Sequence, residues 1–162
     1  MVHIRHSEPA DAAQWIALRF ALWPDELLTG HAAAVAEFFS GPRVGPGIMP
    51  EAVFVAVASE PPTTTLIGFA EVSRRLYAEG CETSPVGFLE GWYVAPAYRR
   101  QGVGRALVLA AEAWARNNGC REFASDALAE NTESAAAHQA LGFEEVEVIR
   151  CFRKTLMPDA SD

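Results

Sequence analysis

The chain has 162 residues, of which half are hydrophobic and 21% are charged, enough to bury one core and ordinary for a water-soluble globular protein. Lys and Arg total 13 against 21 Asp and Glu, a net charge of −8. That balance argues against a general nucleic-acid binder, which would show a basic face, and is compatible with a cationic partner.

Glu8 and Asp11 interrupt the first apolar runs, so no secretory signal is expected. The longest clean apolar run, Ala52 to Ala58, is too short to span a bilayer. Cys81, Cys120 and Cys151 are odd in number and widely separated, with no CxxC pair, so neither a disulfide framework nor a zinc site is expected. The expectation is a cytoplasmic protein without a metal, a membrane anchor or a nucleic-acid partner.

Val2 to His6 alternates as a first strand. Ser7 to Asp11 reads as a helix start, with Ser7 as cap and Pro9 in the first turn. Trp15, Leu18, Arg19 and Leu22 then follow at helical spacing as far as Trp23-Pro24. A second helix is predicted from Asp25 to about Ser40. Gly41 to Pro50, with three glycines and three prolines, reads as a loop. Ala52 to Ser59 and Thr65 to Arg74 form a predicted hairpin, and Arg75 to Pro85 a polar loop. Val86 to Val94 is a strand leading into Gly102-Val103-Gly104. Val103, Leu107, Ala110 and Trp114 make one stripe of the next helix, which stops at Gly119. Glu122 to Ser125 is a short strand ending at Asp126. Asn131 starts a helix through His138 to a stop at Gly142. Phe143 to Leu156 alternates as one or two closing strands, and a polar tail occupies residues 157–162. The order implies an α/β (α+β) fold over residues 1–156: a mixed central sheet flanked by about four helices, with a parallel strand–helix–strand unit from Val86 to Ser125.

The chemistry concentrates at Arg99-x-x-Gly102-x-Gly104. Glycines there admit a ligand close to the backbone, Arg99, Arg100 and Arg105 surround them, and a helix N-terminus is a ready anion site. A dinucleotide fingerprint would need a third glycine where Leu107 stands, and no Lys-Ser/Thr follows to make a P-loop.

The pattern resembles the acetyl-coenzyme A signature of the GCN5-related N-acetyltransferases (GNAT), and the element order and Asn131 followed by Leu141-Gly142-Phe143 agree with it. More specifically, the run from Glu82 to Val94, with Leu22-Trp23 and Glu122 to Asp126, resembles the small chromosomal aminoglycoside 6'-N-acetyltransferases. This resemblance implies acetyl transfer from acetyl-coenzyme A to a 6'-amine by direct attack in a ternary complex, usually in a homodimer. It implies a coenzyme site at Trp92, Tyr93, Val94, Arg99, Arg100, Gln101, Gly102, Val103, Gly104, Arg105 and Asn131. It implies an antibiotic site at Trp23, Tyr77, Glu82, Glu90, Asp126 and Glu147.

The reaction needs a neutral amine, an oxyanion donor and a proton for the leaving thiolate. The Val94 N–H is the candidate oxyanion donor. Asp126 is the candidate to hold the amine, and Glu90 to take its proton directly or through water. Carboxylates close together would raise one another's pKa. His138 stands where many GNAT members carry a tyrosine acid; it reads equally as a proton donor or as a helix residue touching coenzyme or solvent. From residue type alone, Trp23 is equally a core residue, Tyr77 and Glu82 solvated loop residues, and Glu147 an exposed strand face. Two alternatives stand beside this reading: a GNAT acting on a polyamine or protein N-terminus, and a non-catalytic acyl-coenzyme A-binding module.

Overall fold

The computed structural model describes residues 2–41, 50–60 and 63–156. In chain order these give β1 (Val2–His6), a 3-10 turn at Pro9–Asp11, α1 (Ala12–Leu22), α2 (Leu28–Phe39), β2 (Ala52–Glu60), β3 (Thr63–Arg75) and β4 (Val86–Val94). A 3-10 turn at Pro96–Tyr98, α3 (Val103–Asn117), β5 (Phe123–Ser125) and α4 (Thr132–Ala140) complete the order. The sheet runs β1-β2-β3-β4-β5, antiparallel except for the parallel β4–β5 pair, so the expected mixed sheet with four flanking helices is present.

The central strands are apolar on both faces because helices cover both. Phe54, Ala56, Ile67, Ala70, Val72 and Leu89 pack with Val103, Leu107, Val108 and Ala111 of α3. On the other face Val53, Val55, Val57, Leu66 and Phe69 pack with Trp15 of α1 and Val35 of α2. The α3 stripe is centred on Leu107, Val108, Ala111 and Ala115, with Ala110 and Trp114 at its margin.

Helix boundaries depart from expectation in two places. Ser7 is not the first cap: Glu8 stands at the N-cap, and its N–H donates to Asp11 Oδ2 at 2.8 Å. Asp11 is gripped by the Arg5 guanidinium at 2.6 and 2.9 Å, which holds its carboxyl below the usual range. The second helix begins at Leu28 rather than Asp25, because the chain first turns on the Trp23 carbonyl, which accepts from Glu26 N–H at 3.2 Å and His31 Nε2 at 3.1 Å. The predicted loop at 42–49 and tail at 157–162 lie outside the described residues.

The closing strands predicted over Phe143 to Leu156 do not form within this chain: no strand is present among the described residues there. The segment instead leaves Val146, Val148, Ile149, Phe152 and Leu156 exposed, Phe152 at 92% and Leu156 at 81%. Alternation marks chain fit for a strand, but a strand needs a partner edge, and the pattern cannot say which chain supplies it.

Two features of β4 position the site. Glu71 of β3 pairs with Gly91 and Val72 with Leu89, so Glu90 is the extra residue of a β-bulge, the usual device for re-aiming a side chain. The β4–β5 ladder runs only from Gly87↔Phe123 to Leu89↔Ser125. Beyond Leu89 the two strands separate, and β4 shows an edge not covered by β5.

Candidate active site

The gap past Leu89 is lined by the backbone of β4. Ala95 N–H donates to the Ile67 carbonyl of β3 at 2.8 Å. Backbone groups alternate sides along a strand, so Val94 presents its N–H and carbonyl away from β3, into the gap. Arg99 agrees with that direction, since its Nε donates to the Val94 carbonyl at 2.9 Å.

At the far end of the gap stands the N-terminus of α3. Gly102 caps it in the left-handed region, φ 81°, and Arg100 before it also has positive φ, 58°. A side chain at Gly102 would be strained by that backbone. Gly104 is glycine for another reason: a Cβ there would lie 2.8 Å from the Trp92 ring. Trp92 closes on the helix start and meets His138 edge-on at 5.5 Å. The free N–H groups of the first turn, with Arg100 and Arg105 exposed beside them, suit an anion. Together with a free β edge, they fit a ligand that joins phosphates to an amide-bearing arm.

Not every coenzyme-site candidate is free to bind. Arg99 also pairs with Glu133 at 3.3 Å and lies 5.7 Å over Tyr93, so it straps β4 to α4. Gln101 donates to the Ala97 carbonyl at 2.9 Å. Asn131 caps α4, accepting from Ser134 N–H at 3.0 Å.

On the opposite lip, the register Leu89↔Ser125 brings Asp126 across from Glu90. Glu90 is the anion of a built cluster. Arg75 Nε donates to its Oε1 at 3.0 Å and Arg75 Nη2 to its Oε2 at 2.5 Å, and the buried Ser73 hydroxyl donates to Oε1. Its immediate neighbour is therefore a guanidinium rather than a second carboxylate, and the Glu90 bond raises the Arg75 pKa. Asp126, by contrast, is exposed. A cavity of about 340 Å³ is lined by Glu79, Phe88, Asp126, His138, Phe143 and Glu147, which gathers Asp126 with Glu147. Glu82 is exposed; its loop is pinned by Glu122, which accepts from Glu82 N–H at 3.0 Å and Thr83 N–H at 2.6 Å. Those bonds, the Thr83 hydroxyl first, hold the Glu122 carboxyl below the ordinary value. Tyr77 is exposed in the same connection.

Trp23 lies at the end of α1 with its ring against Gly91, where a Cβ would come within 2.5 Å of it. Beneath it the Arg19 guanidinium sits 4.9 Å from the ring and bonds Glu71. Glu71 is 3% exposed and also accepts from Trp15 Nε1 at 3.1 Å. Burial pushes its carboxyl up, opposed by Arg19 and Trp15.

His138 Nδ1 lies 2.8 Å from the Ser134 carbonyl, which can only accept, so Nδ1 carries the hydrogen. Nε2 lies 2.9 Å from the Ser125 hydroxyl, whose single hydrogen is also within reach of the Leu89 carbonyl at 3.3 Å. A neutral His138 thus has no proton to give at Nε2. Arg75, Ser73, Ser125 and Glu79 are site residues that sequence reasoning missed. They meet Glu90, His138 or the cavity only through contacts between elements distant in the chain, which no local motif encodes.

A phosphate cradle, a β4 bulge and a gap between parallel strands define an acyl-coenzyme A-dependent acetyltransferase fold. The sequence model described as "Acetyltransferase (GNAT) family" matches residues 14–143, and the chain belongs to this family. Within it the chain falls among the aminoglycoside N(6')-acetyltransferases type 1. It is 52% identical to the enzyme of that name from Klebsiella aerogenes over 153 residues, covering 94% of this chain and 96% of the relative. The Stenotrophomonas maltophilia enzyme is 48% identical, over 97% of this chain and 95% of its own. A solved structure of aminoglycoside N-acetyltransferase AAC(6')-Iy in complex with CoA superposes with TM-score 0.84 at 39% identity, covering 96% of each chain. The same enzyme in complex with a bisubstrate analog, CoA-S-monomethyl-acetylneamine, also gives 0.84 at 39% identity, covering 96% of this chain and 99% of that one.

Proposed function

We propose that the protein transfers acetyl from acetyl-coenzyme A to the 6'-amine of aminoglycosides, using the two lips of the β4–β5 gap. The observation that carries the reading is the bulge at Glu90. With the β4–β5 ladder ending at Leu89, it supports a site in which one uncovered strand edge pairs with an amide-bearing donor, across the gap from an Asp126 carboxylate suited to a cationic acceptor. The α3 N-terminus with Arg100 and Arg105 holds the phosphates, and Val94, whose backbone faces the gap, presents it to the pantetheine. The Val94 N–H is the donor for the oxyanion. Asp126, with Glu82 and Glu147, binds ammoniums by charge-assisted hydrogen bonds, and Trp23 and Tyr77 give apolar surface to the sugar rings. Glu90 receives, through water at its remaining acceptor position, the proton that leaves the bound ammonium before attack. In its neutral form His138 orients Ser125 rather than acting as the acid, so the thiolate takes its proton from the attacking amine or from solvent.

The test is purified protein with acetyl-coenzyme A and paired kanamycin-type compounds bearing 6'-amino or 6'-hydroxyl groups, following free thiol. Thiol release is expected with the 6'-amino compounds alone. Release only with polyamines or peptide amines would replace the substrate class, and no release with any amine would leave a binding module.

The protein is also proposed to be a homodimer. The exposed apolar segment from Val146 to Leu156 and the short β5, paired among the described residues with β4 alone, suit strand addition between two copies. Light scattering is expected to give about twice the 17.5 kDa chain mass, and Val148→Asp with Phe152→Asp to yield the single chain. A wild-type protein of single-chain mass at every concentration would refute the dimer. Free Cys81, Cys120 and Cys151 fit a reducing compartment, which supports a cytoplasmic location.

A further inference from the structure

Arg75 is a cation set inside a site built for cations. Its guanidinium is held from two directions: the Glu90 fork at 3.0 and 2.5 Å, and the Phe88 ring 3.5 Å beneath it. A bidentate fork with an aromatic face on a second side fixes the group in place. The charged groups facing it come from three elements: Glu90 on β4, Asp126 just past β5 and Glu79 in the connection after β3. Glu71 of β3, paired with Arg19, faces Glu90 from the layer below. A carboxylate offers about four acceptor positions, and Arg75 and Ser73 already occupy three of those on Glu90.

We infer that Arg75 is a positioning residue of the acceptor site: a fixed internal cation that cancels Glu90 and leaves Asp126 as the carboxylate on which the reacting ammonium lands. This rests on the acetyltransferase reading above. Two consequences oppose each other. Without Arg75, Glu90 becomes a free second carboxylate and the polycation binds more tightly. The same free charge stabilises the acceptor as ammonium, so the neutral amine that attacks the thioester becomes scarcer at a given pH. Arg75 therefore trades affinity for reactivity.

The experiment compares wild type, Arg75→Gln and Arg75→Lys. Neamine binding to the coenzyme A-loaded protein is measured by calorimetry at low salt, and kcat for a 6'-amino compound is measured across pH. Arg75→Gln is expected to tighten neamine binding and to lower kcat, each by about tenfold, with the rising limb of the pH profile moved to higher pH. Arg75→Lys keeps the charge and is expected to retain the wild-type affinity and pH profile. Parallel loss of affinity and kcat in Arg75→Gln with an unmoved profile would reduce Arg75 to a structural part and overturn the inference. So would tighter binding by Arg75→Lys, which decides the matter if the Gln variant does not fold. A wild type inert toward 6'-amino compounds would sink the substrate reading instead, and the binding measurements would still report on Arg75.

Discussion

Asp126→Asn is expected to lower kcat/KM for a 6'-amino aminoglycoside by about 10²–10³-fold, or about 2.7–4 kcal/mol in the transition state. Affinity for acetyl-coenzyme A should be unchanged. The size follows from the charge arrangement on the lips of the gap. Glu90 is matched by Arg75, so the pair presents little net charge to an incoming ammonium. Asp126, one residue beyond the Leu89↔Ser125 pair, is exposed across the gap. Asparagine keeps the shape and loses the charge that holds the ammonium. The α3 N-terminus and the β4 edge are built from other residues and do not feel the change. Steady-state thiol release and calorimetric titration with coenzyme A check the two halves. Equal loss of turnover and coenzyme affinity would show that Asp126 supports the donor side, contrary to its proposed role.

The parts legible in the sequence were those encoded locally. The strand from Val86 to Val94 and the Asn131 start each depend on a few adjacent residues, and the structure places both where periodicity and turn chemistry put them. The β3–β4 ladder skips Glu90 beside Gly91, a bulge that alternation does not announce. What escaped depends on register between distant strands. Arg75 is the second arginine of an unremarkable Arg74-Arg75 pair, and only the bulge brings Glu90 to it. Gly104 looked like room for a ligand, whereas its missing Cβ makes room for Trp92. The Phe143 to Leu156 alternation was read correctly as apolar patterning, but periodicity carries no information on which edge would receive it.

Arg19→Met is expected to destabilise the fold by about 3–5 kcal/mol at neutral pH, because it leaves the Glu71 carboxyl in the core without its cation, to be buried charged or held protonated. Glu71 is 3% exposed, and its described partners are Arg19 and Trp15 Nε1. Burial already raises its pKa above the ordinary 4.5, with Arg19 the first opposing influence. Removing Arg19 raises it further. The sign follows from proton counting: above pH 4.5 the unfolded chain has released a proton that the folded variant retains, so each rise in pH favours unfolding until the folded carboxyl itself ionises. The variant should therefore lose less stability in mild acid than at neutrality. Arg19→Met with Glu71→Leu should recover most of the loss, since the buried charge is gone and the volume is filled. Urea melts of both variants in mild acid and at neutral pH decide this. A single variant equally destabilised at both would mean that packing against Trp15 and Trp23, not the orphaned carboxylate, sets the cost. The consequence reaches the active site through Trp23: Arg19 supports the ring that presses on Gly91, so loosening that support frees the bulge that aims Glu90. In the double variant, a folded protein with reduced kcat would separate what the buried pair does for stability from what it does for the geometry of the gap.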